Sequence, residues 1–287
     1  MSTFHIRPLL LDEMTVPLGW AEREGWNPGL NDATPFWQAD QTGFLGGYLD
    51  DVLIASISAV RYDDSFGFIG FYIVDPSHRG HHYGWQVWCA GLARLGTVAC
   101  IGLDGVLAQQ NNYAKSGFVL AHKNSRFEGK PQQSAGSLHL ATGQTRHAIA
   151  QVPFETIERF DALHFPTRRG EFLRAWLNEP GHRGQVILQD GEISGYGVIR
   201  PCVSGYKIGP LFAQTTLQAR NLILGMCESI EPDALVYIDP PAQNTQAIEL
   251  LESFGMEMVF ETARMYKGGS PELPLASIYG ITSFELG

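Results

Sequence analysis

Between Arg79 and Gly84 the chain reads Arg-Gly-His-His-Tyr-Gly, a cationic residue, two glycines and three ring-bearing side chains in one short run. What this run can do depends on its surroundings. Upstream, Phe66 to Val74 is rich in β-branched and aromatic residues and reads as a buried strand. Asp75-Pro76 ends it, because proline cannot donate to a ladder and biases its predecessor toward an extended conformation. Downstream, Trp85, Val87, Trp88, Leu92 and Leu95 recur near helical spacing, predicting a helix from about Tyr83 whose apolar face packs on the sheet. A strand feeding such a loop into a helix start aims backbone N–H groups and the positive end of a helix dipole at one point, which suits a phosphate or pyrophosphate. Arg79 adds positive charge, Gly80 and Gly84 permit close backbone approach, and His81, His82 and Tyr83 lie between them.

The same residues resemble the acyl-CoA-binding motif of the GCN5-related N-acetyltransferases (GNAT), in which Arg or Gln is followed, after two intervening residues, by Gly and, after one more intervening residue, by Gly or Ala. Arg79 takes the first place, Gly84 the last, and Val74-Asp75-Pro76 the characteristic strand end, while His82 stands at the middle glycine. The resemblance implies that Arg79, Gly80, His81, His82, Tyr83 and Gly84 cradle the pyrophosphate of acetyl-CoA. It also implies that Ile73 and Val74 bond the cofactor where the fourth and fifth strands splay apart. A second stretch, Asn111 to Phe118, resembles the family's Tyr-x-x-x-Gly-Phe/Tyr and puts Tyr113 where a tyrosine protonates the departing thiolate. A phenol with a pKa of about 10 is protonated at neutral pH and suits that role. The family's Asn and Ala upstream of the tyrosine are replaced by Val106 and Gln109.

The elements that must position these groups follow the family's order. Phe4 to Leu9 reads as a first strand, Asp12 to Arg23 as a helix interrupted near Pro17, and Gly43 to Tyr62 as a hairpin turning at Asp50-Asp51. Val98 to Leu107 supplies the strand after the glycine loop. The order then repeats: a hairpin turning at Asp190-Gly191, a strand from Tyr206, a helix from Thr215, a strand from Ala234, and a final helix and closing strand from Ala242 to Gly268. In this repeat Leu251 stands at the tyrosine position and no arginine-glycine loop joins strand to helix. The expectation is an α/β protein with mixed sheets, built as tandem acetyltransferase folds: 1–135 active and 136–287 degenerate, the latter a support or substrate-binding domain. The apolar stretch from Gln144 to Pro180, with Phe172 and Trp176, is expected to pack between them.

Composition bounds the function. With 287 residues, 44% of them hydrophobic, the chain can bury a core in each of two domains. A net charge of −10 without a basic face argues against nucleic acid. The N terminus lacks a signal pattern and no apolar run approaches a bilayer span, so a cytoplasmic protein without a membrane partner is expected. Cys89, Cys100, Cys202 and Cys227 are far apart in apolar runs and read as buried core thiols. His78, His81 and His82 share a loop, but adjacent histidines rarely converge on one ion, and no metal is assigned. For the proton of an attacking amine, Glu24, Asp32 and Asp104 are candidate bases, water-mediated removal being equally compatible. The loop Gly25 to Asp32, with Trp26 and Asn27, serves either packing or an acceptor pocket. The activity implied is acetyl transfer from acetyl-CoA to a primary amine of a small molecule or peptide by direct attack, in a monomer or homodimer. The alternative is a CoA-binding regulatory or scaffold module, suggested by His82, Val106 and Gln109.

Overall fold

The computed structural model describes residues 3–131 and 138–287; the expected boundary at 135/136 lies outside the described residues. The first half contains β1 (Phe4–Pro8), α1 (Thr15–Arg23), α2 (Ala33–Ala39), β2 (Phe44–Leu49), β3 (Val52–Arg61), β4 (Phe66–Val74), α3 (Tyr83–Arg94), β5 (Cys100–Val106), α4 (Gln110–Lys115) and β6 (Val119–Gly129). The second contains β7 (Gln144–Ala148), α5 (Phe154–Asp161), α6 (Gly170–Asn178), β8 (Arg183–Gln189), β9 (Glu192–Pro201), β10 (Tyr206–Ala213), α7 (Thr216–Cys227), β11 (Val236–Ile238), α8 (Thr245–Ser253), β12 (Glu257–Lys267) and β13 (Ile278–Gly280). Both predicted hairpins form on two-residue turns with left-handed backbone, Asp50-Asp51 at φ 47° and 65°, and Asp190-Gly191 at φ 53° and 91°. Positive φ at both central residues is what a tight hairpin between right-twisted strands requires.

The strands form one continuous mixed sheet in the order β1-β2-β3-β4-β5-β12-β6-β11-β10-β9-β8-β7, with β13 branching from β10. The closing strands are exchanged. β12 of the second half pairs with β5, and β6 of the first half pairs with β11. Two buried bidentate ion pairs mark the crossing at equivalent positions: Arg264 of β12 on Asp104 of β5 (2.9 and 2.5 Å), and Arg126 of β6 on Asp239 after β11 (2.8 and 2.7 Å). Pairing patterns of this kind are long-range, and nothing in local periodicity distinguishes a strand that closes its own half from one that closes its neighbour.

A shared apolar cluster joins the halves, as the Gln144–Pro180 stretch predicted: Phe36 of α2 stacks on Trp176 of α6 with centroids 5.9 Å apart, and Phe71 and Phe284 belong to the same cluster. The loop after α1 is tied down as well. Asn27 exchanges hydrogen bonds with Ser204, and Asp32 accepts from Arg200 at 2.9 Å in a fully buried pair. Three local expectations are corrected. Pro17 does not interrupt a helix, since α1 begins at Thr15 and a first-turn proline breaks no hydrogen bond. Trp85 is exposed at the first turn of α3, where Val87 and Trp88 face the sheet instead. Cys89 is exposed on the same helix, whereas Cys202 and Cys227 are buried.

Candidate active site

The loop leaving β4 begins with a turn capped by the Asp75 carboxylate, which accepts from the Ser77 N–H at 3.0 Å. Its glycines serve different purposes. Gly80 sits at φ 84° with open space around it, so the backbone conformation is what requires glycine there. A Cβ on Gly84 would lie 2.9 Å from Val74 Cγ2 and 3.0 Å from Tyr72 Oη, so here glycine lets α3 approach β4. His82, at the family's middle glycine, adopts the left-handed φ of 62°, which costs roughly 1–2 kcal/mol in a residue with a Cβ. Its imidazole is exposed. Among the described residues, the N–H groups of Gly80, His81, His82, Tyr83 and Gly84 bond no acceptor. They are the unsatisfied donors of a loop and helix start, and the α3 dipole reinforces them. Arg79 braces the loop, its Nε donating to the Val74 carbonyl (2.9 Å) and its guanidinium to Glu24 (2.5 Å).

Beside this cradle the sheet opens. β4 and β5 run parallel and pair only from Phe66 opposite Cys100 to Ile69 opposite Leu103. Beyond Gly70 and Asp104 they part around a cavity of about 350 Å³. A bulge at Phe71, with φ of 44°, re-aims the end of β4. The Asp75 N–H donates to the Ile54 carbonyl of β3 (2.9 Å), so antiparallel alternation turns the N–H and C=O of Val74 toward the gap and those of Ile73 toward β3. Of the two strand residues expected to bond a cofactor, Val74 therefore has the orientation for it, while Ile73 contributes to the cavity wall. Tyr113 also lines the cavity, its ring lying on Gly105 of β5, where any Cβ would overlap it, and 5.5 Å from the Trp88 ring. Burial, with Tyr72 nearby, pushes its phenol up to about 12. Gln109 and Val106 line the same space.

The opposite wall comes from the second half: Phe260 and Thr262 of β12, then Phe284 and Glu285 of the C-terminal segment. That segment lies against β4 where the gap begins, and a Cβ on Gly70 would overlap the Glu285 carbonyl oxygen. Of the bases considered from sequence, Asp104 borders the cavity but accepts from Arg264 and Asn124, and Glu24 from Arg79. Asp32 is buried against Arg200 and does not line the cavity. Glu285 went unnoticed because no motif surrounds it and only the long-range path of the tail brings it here. Among the described residues, no group of His, Cys, Asp and Glu is arranged to hold a metal ion. Among the same described residues, no helix is long and apolar enough to cross a membrane.

The equivalent region of the second half is sealed. β10 pairs with β11 only from Tyr206 to Ile208, but β13 then fills the widening gap by pairing with Leu211 and Phe212. Thr215 caps α7 and forms a reciprocal capping box with Gln218, so the helix start meets its own side chains. Tyr279 of β13 reaches Thr216 Oγ1 at 3.0 Å. Leu251 occupies the position of Tyr113 in the same turn geometry: Met256 N–H donates to its carbonyl as Phe118 N–H does to that of Tyr113.

Comparison with known proteins agrees with this duplicated layout. A family described as acetyltransferase (GNAT) family matches residues 8–118, and one described as acetyltransferase (GNAT) domain matches residues 157–280. A holothin acyltransferase of Pseudoalteromonas sp. (strain SANK 73390) is 32% identical over 286 residues, covering 100% of this chain and 95% of that protein. Among solved structures, a putative acetyltransferase from Pyrococcus horikoshii superposes with a TM-score of 0.80 at 21% identity, over 99% of this chain and 96% of its own. A tandem GNAT protein from the clavulanic acid biosynthesis pathway superposes with a TM-score of 0.66 at 13% identity, over 94% of this chain and 100% of its own. The chain thus belongs to the GNAT acyltransferases and is a tandem member with two domains of that family.

Proposed function

We propose that the first half transfers an acetyl group from acetyl-CoA to a primary amine, by direct attack without a covalent enzyme intermediate. The observation that carries this reading is the run of unbonded N–H groups from Gly80 to Gly84 at the start of α3, opening beside the β4/β5 gap that contains Tyr113. This arrangement fits acyl-CoA in both chemistry and shape: donors for a pyrophosphate at one end, a slot between unpaired strand edges at the other. Acyl-CoA bound there would supply an activated thioester. Val74 would orient it through backbone hydrogen bonds, and Arg79, braced by Glu24, would hold positive charge near the phosphates. The neutral Tyr113 hydroxyl would give its proton to the departing sulfur.

Because burial holds the Tyr113 proton up to a pKa of about 12, the acid form is present throughout the neutral and mildly alkaline range, and its loss should depress turnover only near that pH. The second half would complete the acceptor wall and would not itself bind acyl-CoA or transfer an acyl group. The relative named for holothin makes holothin the first acceptor to try. Thiol release from acetyl-CoA with holothin and a panel of primary amines tests the reading. Turnover should fall by about 10²–10³-fold in Tyr113→Phe, with acetyl-CoA affinity within about twofold of wild type. An unchanged rate removes the acid role. Tight acetyl-CoA binding without turnover on any amine would favour a regulatory CoA-binding module instead.

A further inference from the structure

An alkylamine is protonated at neutral pH and must shed a proton before its lone pair can attack. One acidic residue of the cavity wall has a side-chain oxygen with no partner among the described residues. Glu285 is 3% exposed, lines the cavity, and its Oε1 finds no donor among the described residues. An orphaned buried oxygen of this kind calls for an explanation, because leaving it unpaired costs stability.

Its setting is built rather than incidental. The tail is fastened on both sides of it: Arg126 lies over the Phe284 ring at 4.6 Å, and the Leu286 carbonyl accepts from Tyr62 Oη at 2.9 Å. The bare Cα of Gly70 receives the Glu285 backbone at the start of the gap. The charges facing the carboxylate are Lys207, Arg126 and Arg200 on the cationic side and Asp32 on the anionic side, with Asp239 behind Arg126. Burial raises the affinity of Glu285 for a proton, and Lys207 opposes this most strongly. Burial thus makes this carboxylate a stronger proton acceptor than a solvated one.

We infer that Glu285, delivered by the second half into the cavity of the first, is the general base that deprotonates the acceptor ammonium. This rests on the acetyl-transfer reading above. The Glu285 carboxylate takes one proton from R–NH3+, the freed amine forms the C–N bond as the C–S bond breaks, and Tyr113 protonates the sulfur. The second proton leaving nitrogen restores the Tyr113 hydroxyl, and Glu285 returns its proton to water. One proton is released per amide formed. The second half is then a contributor to catalysis and not only a support.

The test compares two acceptors in the full chain: an alkylamine that is protonated at pH 7, and an aromatic amine of low basicity that is already neutral. In Glu285→Gln the alkylamine kcat/KM should fall by about 10²-fold at pH 7. The aromatic amine should change by less than about threefold, and acetyl-CoA affinity should be unchanged. The alkylamine defect should shrink as pH rises toward the amine's own pKa, because solution then supplies the neutral form. Glu285→Asp should fall between the two. Rates are expressed per acetyl-CoA-binding site, so partial misfolding does not imitate the result. Equal losses for both amines, or none for the alkylamine, overturn the assignment while leaving acetyl transfer intact. Absence of turnover on either amine in the wild type overturns acetyl transfer itself and this assignment with it.

Discussion

Two gaps, one between β4 and β5 and one between β10 and β11, start from the same architecture and end differently. In each, a short parallel pairing stops at a glycine, Gly70 in the first and Gly209 in the second, and the strands diverge. The first gap stays open beside a helix start with free N–H groups. The second is filled by β13, and its helix start is capped by Thr215. The same segment serves both: after β13 it crosses Gly209, where a Cβ would lie 2.5 Å from the Ile281 carbonyl, and then reaches Gly70 with Glu285. What disables one site thus extends to furnish a wall of the other. Loss of a phosphate loop in a duplicated domain need not be decay; the space it leaves can route chain to where chemistry is retained.

The comparison is broken most severely at the exchanged strands. Arg264→Ala and Arg126→Ala each leave a buried carboxylate unpaired and should each cost about 3–5 kcal/mol of unfolding free energy, read by denaturant titration. The two should be similar, because the pairs occupy equivalent positions. Arg94→Ala, which removes a partly exposed pair with Asp40, should cost no more than about 1 kcal/mol. A large inequality between the first two would mean that only one half depends on the exchange. The smallest effect is expected at His82. Glycine there relieves the left-handed strain but loosens the unfolded chain, so thermal stability should stay within about 1 kcal/mol and acetyl-CoA affinity within about twofold, because the imidazole points to solvent. A strong gain in affinity would show that the side chain had obstructed the cradle.

Much of this was legible in the sequence where the signal is local. The strand ending at Val74, the helix starting at Tyr83, the hairpin turns and the position of Tyr113 follow from side-chain periodicity, proline and glycine placement, and a short motif. The repeat was visible through the same signals, including the absence of a phosphate loop before Thr215. Illegible were features fixed by pairing across the whole chain. β6 and β12 look alike as closing strands, and only the sheet reveals that each closes the other half. Glu285 sits in Ser-Phe-Glu-Leu-Gly with no pattern to mark it, and its burial against Gly70 depends on more than two hundred residues of intervening chain. Val74 and Ile73 differ in backbone direction only because of the β3 register, which periodicity does not report.

The central claim is that one gap binds acyl-CoA and the other does not, and calorimetric titration of the full chain with acetyl-CoA tests it most directly. One site per chain is predicted. That uptake should be lost in Gly84→Val, whose branched side chain would meet Val74 and Tyr72 and push α3 from β4, and retained in Thr215→Ala, which alters only the sealed half. Two sites per chain, uptake that survives Gly84→Val, or no uptake by the folded wild type would contradict it.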